Sequence, residues 1–250
     1  MKSAAQGMEG KYGLLGRNIS YSFSRGYFGN KFEREGIAAT YENFDIPDIS
    51  YFQSILEQNP DLKGLNVTIP FKEQILPFLT DLDPTAAKIG AVNTIKVLPN
   101  GDLKGFNTDY FGFSEALKPF LKPFHGKALI LGTGGASKAI YYALNELQIL
   151  PVFVSRSPQT GHLKYEDLDE KVMEEHLVIV NCTPLGTSPN TEDFPPIPID
   201  LIGNKHFIFD LIYNPAETKL MKLASKRGAV VSNGLKMLEL QAEKSWLHWH

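Results

Sequence analysis

One cysteine, Cys182, stands in the whole sequence, so no internal disulfide can form and the fold must be held by its core. No apolar run approaches the roughly 18 residues that a membrane-spanning helix needs. Charge of one sign is also missing: 25 basic against 28 acidic residues leave a net charge of -3, which offers no broad footprint to a nucleic-acid backbone or an anionic membrane. The opening Met1 to Gly10 carries Lys2 but no apolar stretch of the kind a secretory signal contains. The six histidines show no metal-ligand spacing, and His248 and His250 read as tail residues, so no metal is expected. These absences favour a soluble protein of the reducing cytoplasm that works on small molecules, without nucleic-acid or membrane partners. Met1 to Gly7 is set apart from the fold, because a second methionine, Met8, stands just before the first strand-like run.

What is present is an ordinary globular composition, 43% hydrophobic and 21% charged, over 250 residues, enough for one large domain or two of usual size. Strand and helix periods alternate. A strand begins at Lys11, followed by a Ser-rich turn and a helix from about Tyr27 to Glu35 closed by Gly36. A strand at Thr40 to Phe44, an amphipathic segment from Ile49 to Gln58, a strand at Gly64 to Ile69 and a helix after Pro70 come next. Ala91 to Val97 and Leu103 to Phe106 flank Pro99-Asn100-Gly101-Asp102 and read as a hairpin closing a first domain. Pro119, Pro123 and Gly126 punctuate a linker, after which strands at Lys127 to Leu131, Pro151 to Ser155, Leu177 to Asn181 and Phe207 to Leu211 surround a helix from Ser137 to Leu147. The pattern predicts an α/β fold in two domains: residues 10–118 with a mainly parallel sheet, and residues 119–234 as a Rossmann-type unit. A helical segment over 235–250 is expected to return to the first domain.

Lys127 to Arg156 form strand, glycine turn, helix and second strand, the context a dinucleotide-binding turn requires. Gly132 permits a tight turn. Gly134 removes a side chain that would block a pyrophosphate, and Gly135, Ala136 and Ser137 lead into a helix whose N-terminal amides can receive negative charge. About 20 residues beyond such a turn an NAD site carries an acid for the ribose hydroxyls, whereas this chain has Ser155-Arg156-Ser157 there. A guanidinium can pair with a 2′-phosphate, so the expected cofactor is NADP. The plainer alternative for Arg156 is a solvated side chain after an edge strand.

In the first half, Asn66-Val67-Thr68-Ile69-Pro70-Phe71-Lys72, Ala91-Val92-Asn93-Thr94 and Gly105-Phe106-Asn107-Thr108-Asp109 place amides, hydroxyls, a lysine and a carboxylate at strand ends. Taken with Ser22-Phe23-Ser24, Asn181-Cys182-Thr183-Pro184-Leu185-Gly186, Asp210-Leu211-Ile212-Tyr213-Asn214-Pro215 and Asn233-Gly234-Leu235 leading to Gln241, these runs resemble the shikimate dehydrogenase family from Gly13 to about Trp246. The resemblance implies that Lys72 and Asp109 are the catalytic pair. It also implies that Ser22, Ser24, Thr68, Asn93, Tyr213 and Gln241 bind substrate, and that Thr183 and Gly234 lie by the cofactor. The chain departs from the family's Pro-Ile-x-His-Ser-x-Ser-Pro pattern: Asn18, Tyr21 and Arg25 replace Pro, His and Pro, while both serines remain. Lys236 replaces the glycine usual after Gly-Leu.

The resemblance implies NADPH-dependent reduction of 3-dehydroshikimate to shikimate, a step of aromatic amino-acid biosynthesis, by a monomer or homodimer. Two alternatives remain open at this level: an NAD-linked quinate/shikimate dehydrogenase, and a non-catalytic sensor of shikimate-type ligands. Taken singly, Lys72 also reads as a surface lysine, Asp109 as a helix cap, and Ser22 and Ser24 as turn formers. Cys182 reads as a buried strand-end residue rather than a nucleophile, with no histidine in a motif near it.

Overall fold

In a computed structural model of the chain, residues 10–20 and 22–250 are described; the opening segment set apart above and Tyr21 lie outside them. The chain divides into two compact units, residues 10–108 with 242–250, and residues 109–241.

Period-two alternation organises the first. Along β1 (Gly10–Gly16), Tyr12 and Leu14 enter an aromatic core on one face of a sheet while Leu15 enters an aliphatic core on the other. The same switch repeats on β2 (Ala39–Asp45), with Tyr41 and Phe44 on opposite faces, and on β3 (Leu62–Val67), where Leu65 and Val67 join the aliphatic core. The segments between the strands are α1 (Phe23–Glu35) and α2 (Phe52–Gln58). The remaining elements are β4 (Asp81–Leu82), α3 (Pro84–Ile89), β5 (Thr94–Val97) and β6 (Leu103–Phe106). The six strands run in the order β2-β1-β3-β5-β6-β4 and pair in parallel except where β5 meets its two neighbours. That exception is the expected hairpin: Asn100 Oδ1 accepts the Asp102 N–H at 3.1 Å, and Gly101 takes φ +87°, which glycine adopts without steric cost.

Two helix expectations are corrected. The first helix starts at Phe23 rather than about Tyr27, because the Ser22 hydroxyl caps it by accepting the Arg25 N–H. After Pro70 there is no α-helix but a set of turns ending in a 3-10 turn at Leu76–Phe78. The Lys72 carbonyl that a helix would use accepts the distant Val92 N–H at 2.8 Å, and Pro77 has no N–H to give.

The second unit begins with α4 (Asp109–Leu117), expected at the end of the first domain but packed with the second. It continues through β7 (Lys127–Leu131), α5 (Ser137–Glu146), β8 (Leu150–Val154), α6 (Glu170–Glu175) and β9 (Val178–Asn181) to β10 (Phe207–Asp210), α7 (Lys219–Lys226) and β11 (Val230–Ser232). Its sheet is parallel throughout, in the order β11-β10-β9-β7-β8. Ala128, Ile130, Val180 and Phe209 face α4 and α5, whereas Leu129, Leu131, Ile179 and Ile208 face α6 and α7. Both faces are covered, which is why these strands read as unbroken apolar runs.

The last helix, α8 (Leu235–Trp249), puts Met237 in the core of the second unit and Ala242 and Trp249 in the aromatic core of the first. Trp249 donates its indole N–H to the Ile95 carbonyl at 2.9 Å and lies where a Gly64 side chain would be: a Cβ there would sit 2.3 Å from the ring. Gly64→Ala should therefore cost about 1–3 kcal/mol of unfolding free energy by overpacking. Urea unfolding of the single variants and the pair checks this: in a Trp249→Leu background the cost should shrink well below that, and an equal cost in both backgrounds would contradict the packing account.

Candidate active site

In the first unit the sheet gathers polar residues at one edge. β1, β3 and β6 end there and the antiparallel β5 begins there, so the loops after Gly16, Val67 and Phe106 and the residues before Thr94 become neighbours. Gly16 is the tight point: a Cβ would fall 2.6 Å from side-chain carbons of both Ile19 and Thr68. Thr68 donates its N–H to the Leu15 carbonyl at 2.9 Å, and Asn93 accepts from Val67 at 2.9 Å while donating to Phe106 at 3.0 Å. Lys72 is half-buried in the turn between Thr68 and Ile75, its backbone fixed by Val92. The structure thus brings Thr68, Lys72 and Asn93 into one hydrogen-bonded frame.

Ser22 and Ser24 open α1 and are half-buried. Burial pushes the ionisation of the Tyr41 phenol well above the usual tyrosine range, and the nearby Ser24 hydroxyl opposes that rise. Tyr41 donates to the Asn66 carboxamide oxygen at 2.8 Å, and the Asn66 amide donates to Ser245 on α8 at 2.9 Å and to the Asn93 carbonyl at 3.2 Å. Ser245 meets Thr94 at 2.7 Å and Thr108 at 3.1 Å, and the Asn93 carboxamide oxygen accepts the Thr108 N–H at 2.7 Å. A buried polar chain therefore runs from Tyr41 to Asn93. Sequence reasoning missed Tyr41 and Ser245 altogether. Asn66, Thr94 and Thr108 did stand inside the quoted motifs, and that was the available signal.

In the second unit, the turn between β7 and α5 opens on a cavity of about 250 Å³. Among its lining residues are the expected Gly132, Gly134, Ser155, Arg156 and Thr183, together with the unforeseen Tyr165 and Cys182, and no carboxylate is present in the lining. Gly132 takes φ +91°, and a Cβ on it would lie 2.9 Å from Thr183. A Cβ on Gly134 would meet nothing within 4 Å, so the backbone there is bare toward open space. Ser137 donates its hydroxyl to the Gly134 carbonyl at 2.6 Å and is buried, filling the third fingerprint position. Gly135 and Ala136 lead into the helix and do not line the cavity. Ser157 is not in the lining either; its N–H is given to the Ser155 hydroxyl at 3.2 Å. A glycine-lined phosphate cradle with an exposed arginine and no competing acid fits NADP.

Thr183 is positioned by a buried relay that sequence reasoning did not single out. Asn181 Oδ1 accepts both the N–H and the hydroxyl of Thr183, at 3.0 and 2.7 Å, and its amide donates to Asp210 at 3.0 Å. Asp210 also accepts from the Thr218 hydroxyl at 2.7 Å and the Ile212 N–H at 3.1 Å; burial raises its pKa while these bonds oppose the rise. Burial and the nearby Asp210 push the Cys182 thiol far up, so it is a neutral cavity wall and not a nucleophile. Tyr213 follows β10 in the loop that Asp210 anchors, and is half-buried. Gly234 abuts the Leu211 carbonyl, which a Cβ would approach to 2.0 Å. Asp109 is buried in the first turn of α4, and Gln241 is buried on α8 with its amide donating to Leu238 at 3.1 Å. Asp109, Tyr213 and Gln241 belong to the second unit, and Thr68, Lys72 and Asn93 to the first.

A family model described as the shikimate dehydrogenase substrate binding domain matches residues 14–95. A curated relative from Clostridium botulinum, named shikimate dehydrogenase (NADP(+)), is 41% identical over 241 residues, covering 92% of each chain. Shikimate dehydrogenase from Aquifex aeolicus superposes with a TM-score of 0.86 at 34% identity, over 98% of this chain and 93% of that one. Shikimate 5-dehydrogenase from Thermus thermophilus, solved with NADP(H) and shikimate, gives a TM-score of 0.85 at 31% identity, over 96% and 93% of the two chains. With that identity over nearly its full length, the chain belongs to the shikimate dehydrogenase family.

Proposed function

We propose that the chain catalyses the reversible NADPH-dependent reduction of 3-dehydroshikimate to shikimate. The observation that carries the cofactor half is the cavity of the second unit, where Arg156 and Ser155 border a bare glycine turn and no lining carboxylate would repel a 2′-phosphate. The substrate half is supported by Ser22, Ser24, Thr68, Lys72 and Asn93, which all fall within the residues matched to the substrate-binding family model.

The residues around the Gly132 turn, with Ser155 and Arg156, would hold NADPH, which would supply the hydride that the ketone carbon receives. As negative charge develops on the ketone oxygen, the Lys72 ammonium gives it a proton, and in the oxidative direction the amine takes that proton from the alcohol. Asp109 is assigned as its catalytic partner and as acceptor for a neighbouring substrate hydroxyl. Ser22 and Ser24 donate to the substrate carboxylate, while Thr68, Asn93, Tyr213 and Gln241 orient the ring. Gly132, Gly134, Gly135, Ala136, Ser155, Arg156, Ser157, Thr183 and Gly234 are assigned to the cofactor. The first unit supplies Ser22, Ser24, Thr68, Lys72 and Asn93 to the substrate, and the second supplies the nucleotide residues together with Asp109, Tyr213 and Gln241.

Arg156→Ala should weaken NADP binding roughly ten- to a hundredfold, the loss of a charge-assisted contact, and leave NAD binding unchanged. Titration of each dinucleotide by nicotinamide fluorescence measures this, and equal losses would return Arg156 to a solvated surface role. Lys72→Ala should lower kcat by something like 10²–10⁴-fold with little change in shikimate affinity. Full turnover in that variant would remove Lys72 from proton transfer, and a parent that binds shikimate tightly without NADP-linked turnover would be a sensor.

A further inference from the structure

The loop that delivers the two serines lacks the prolines that would stiffen it, so its conformation has to be held by other groups. Asn18 takes φ +57°, in the left-handed region that Asn tolerates better than most residues but still at a cost. Its N–H lies 2.8 Å from Asp45 Oδ1, and the next N–H, of Ile19, lies 3.0 Å from Asp45 Oδ2. One carboxylate at the end of β2 therefore accepts from two consecutive amides. Two residues earlier on the same strand, and so on the same face, the Asn43 amide donates to the Ile19 carbonyl at 2.9 Å. That carbonyl also accepts the Ser22 N–H at 3.1 Å. The turn that feeds α1 is thus gripped on its amide side by Asp45 and on its carbonyl side by Asn43. The strand carrying the grip is tied to β1, since Ile46 donates its N–H to the Gly16 carbonyl at 3.0 Å. A proline at position 18 would have no N–H to offer Asp45 and could not take this φ.

We infer that Asp45, assisted by Asn43, is a positioning residue for carboxylate recognition: it holds the 17–20 segment so that the Ser22 and Ser24 hydroxyls meet the substrate carboxylate together. The inference rests on the reading that these serines bind that carboxylate. A carboxylate bonded to two amides gives charge-assisted contacts on both, which offset the cost of the left-handed residue and remove motion that the substrate would otherwise have to freeze out. Asp45 acts through the loop and touches neither the reacting carbon nor the nucleotide.

The test compares the parent with Asp45→Ala, Asp45→Asn, Ser24→Ala and the Asp45→Ala/Ser24→Ala pair. It measures KM and kcat for shikimate and for its methyl ester, and NADP affinity by fluorescence. Asp45→Ala and Ser24→Ala should each raise the shikimate KM about tenfold with kcat within about twofold, and each should erode the preference for the acid over the ester. The pair should be little worse than the worse single variant, because both act on one contact, and Asp45→Asn, which keeps one acceptor, should fall between parent and Asp45→Ala. A lowered melting temperature with the acid-over-ester preference intact would overturn the inference and leave Asp45 a purely structural residue, with the carboxylate reading still standing on Ser24→Ala. An unchanged KM and preference in Ser24→Ala would remove that reading and the Asp45 role with it. If Asp45→Ala does not fold, the same preference ratio in Asp45→Asn decides.

Discussion

Polar groups removed from water destabilise a fold unless each finds a partner, and the first unit buries Asn66, Asn93, Thr94, Thr108 and Ser245 together where the strand ends meet α8. Asn66 is the hub. Its oxygen takes the Tyr41 proton and its amide reaches Ser245 and the Asn93 carbonyl, so β2, β3, the start of β5 and the last helix share one set of hydrogen bonds. Satisfied throughout, such a set fixes register far more sharply than apolar packing, because a slip by one residue would strand several donors at once. The frame of Thr68, Lys72 and Asn93 stands on it. Trp249 adds a clamp from the same helix, filling the space that Gly64 leaves and bonding the Ile95 carbonyl.

The second unit uses the same device on a smaller scale. A buried carboxylate, Asp210, collects Asn181, Thr218 and the Ile212 N–H at the end of the parallel sheet. Asn181 in turn sets Thr183 against Gly132 at the cavity wall. In both units, then, the groups assigned to ligands are backed by buried polar residues that no ligand need touch, the arrangement that keeps a site preorganised. Among the described residues, the charge in the lining of the second unit's cavity comes from Arg156, whose exposed guanidinium suits a phosphate.

Much of the architecture was legible because it rests on local rules. The run from Lys127 to Arg156 carries its own strand, glycine turn and helix signals, and the Asn100-Gly101 turn announces its hairpin. The misses came where a distant partner decided. The pattern after Pro70 places Lys72 in a helix, yet its carbonyl belongs to Val92, twenty residues away in a different segment. The sequence pattern starts α1 too late because the capping hydroxyl of Ser22 is weak as a signal beside the apolar periodicity. Motif residues such as Lys72, Arg156 and Thr183 could be named from their runs. Tyr41, Asp45 and Ser245 could not, because an isolated tyrosine, aspartate or serine gains its role only from partners brought close by the fold.

A specific oxidation coupled to a specific dinucleotide is read out by the initial rate of reduced-nicotinamide formation by the parent chain. Shikimate and quinate are each offered with NADP and with NAD. NADP reduction by shikimate should be rapid and each of the other three combinations much poorer, since the cavity of the second unit is lined by an exposed arginine and, among the described residues, by no acid. A rate with quinate and NAD that equals or exceeds the rate with shikimate and NADP would contradict that expectation.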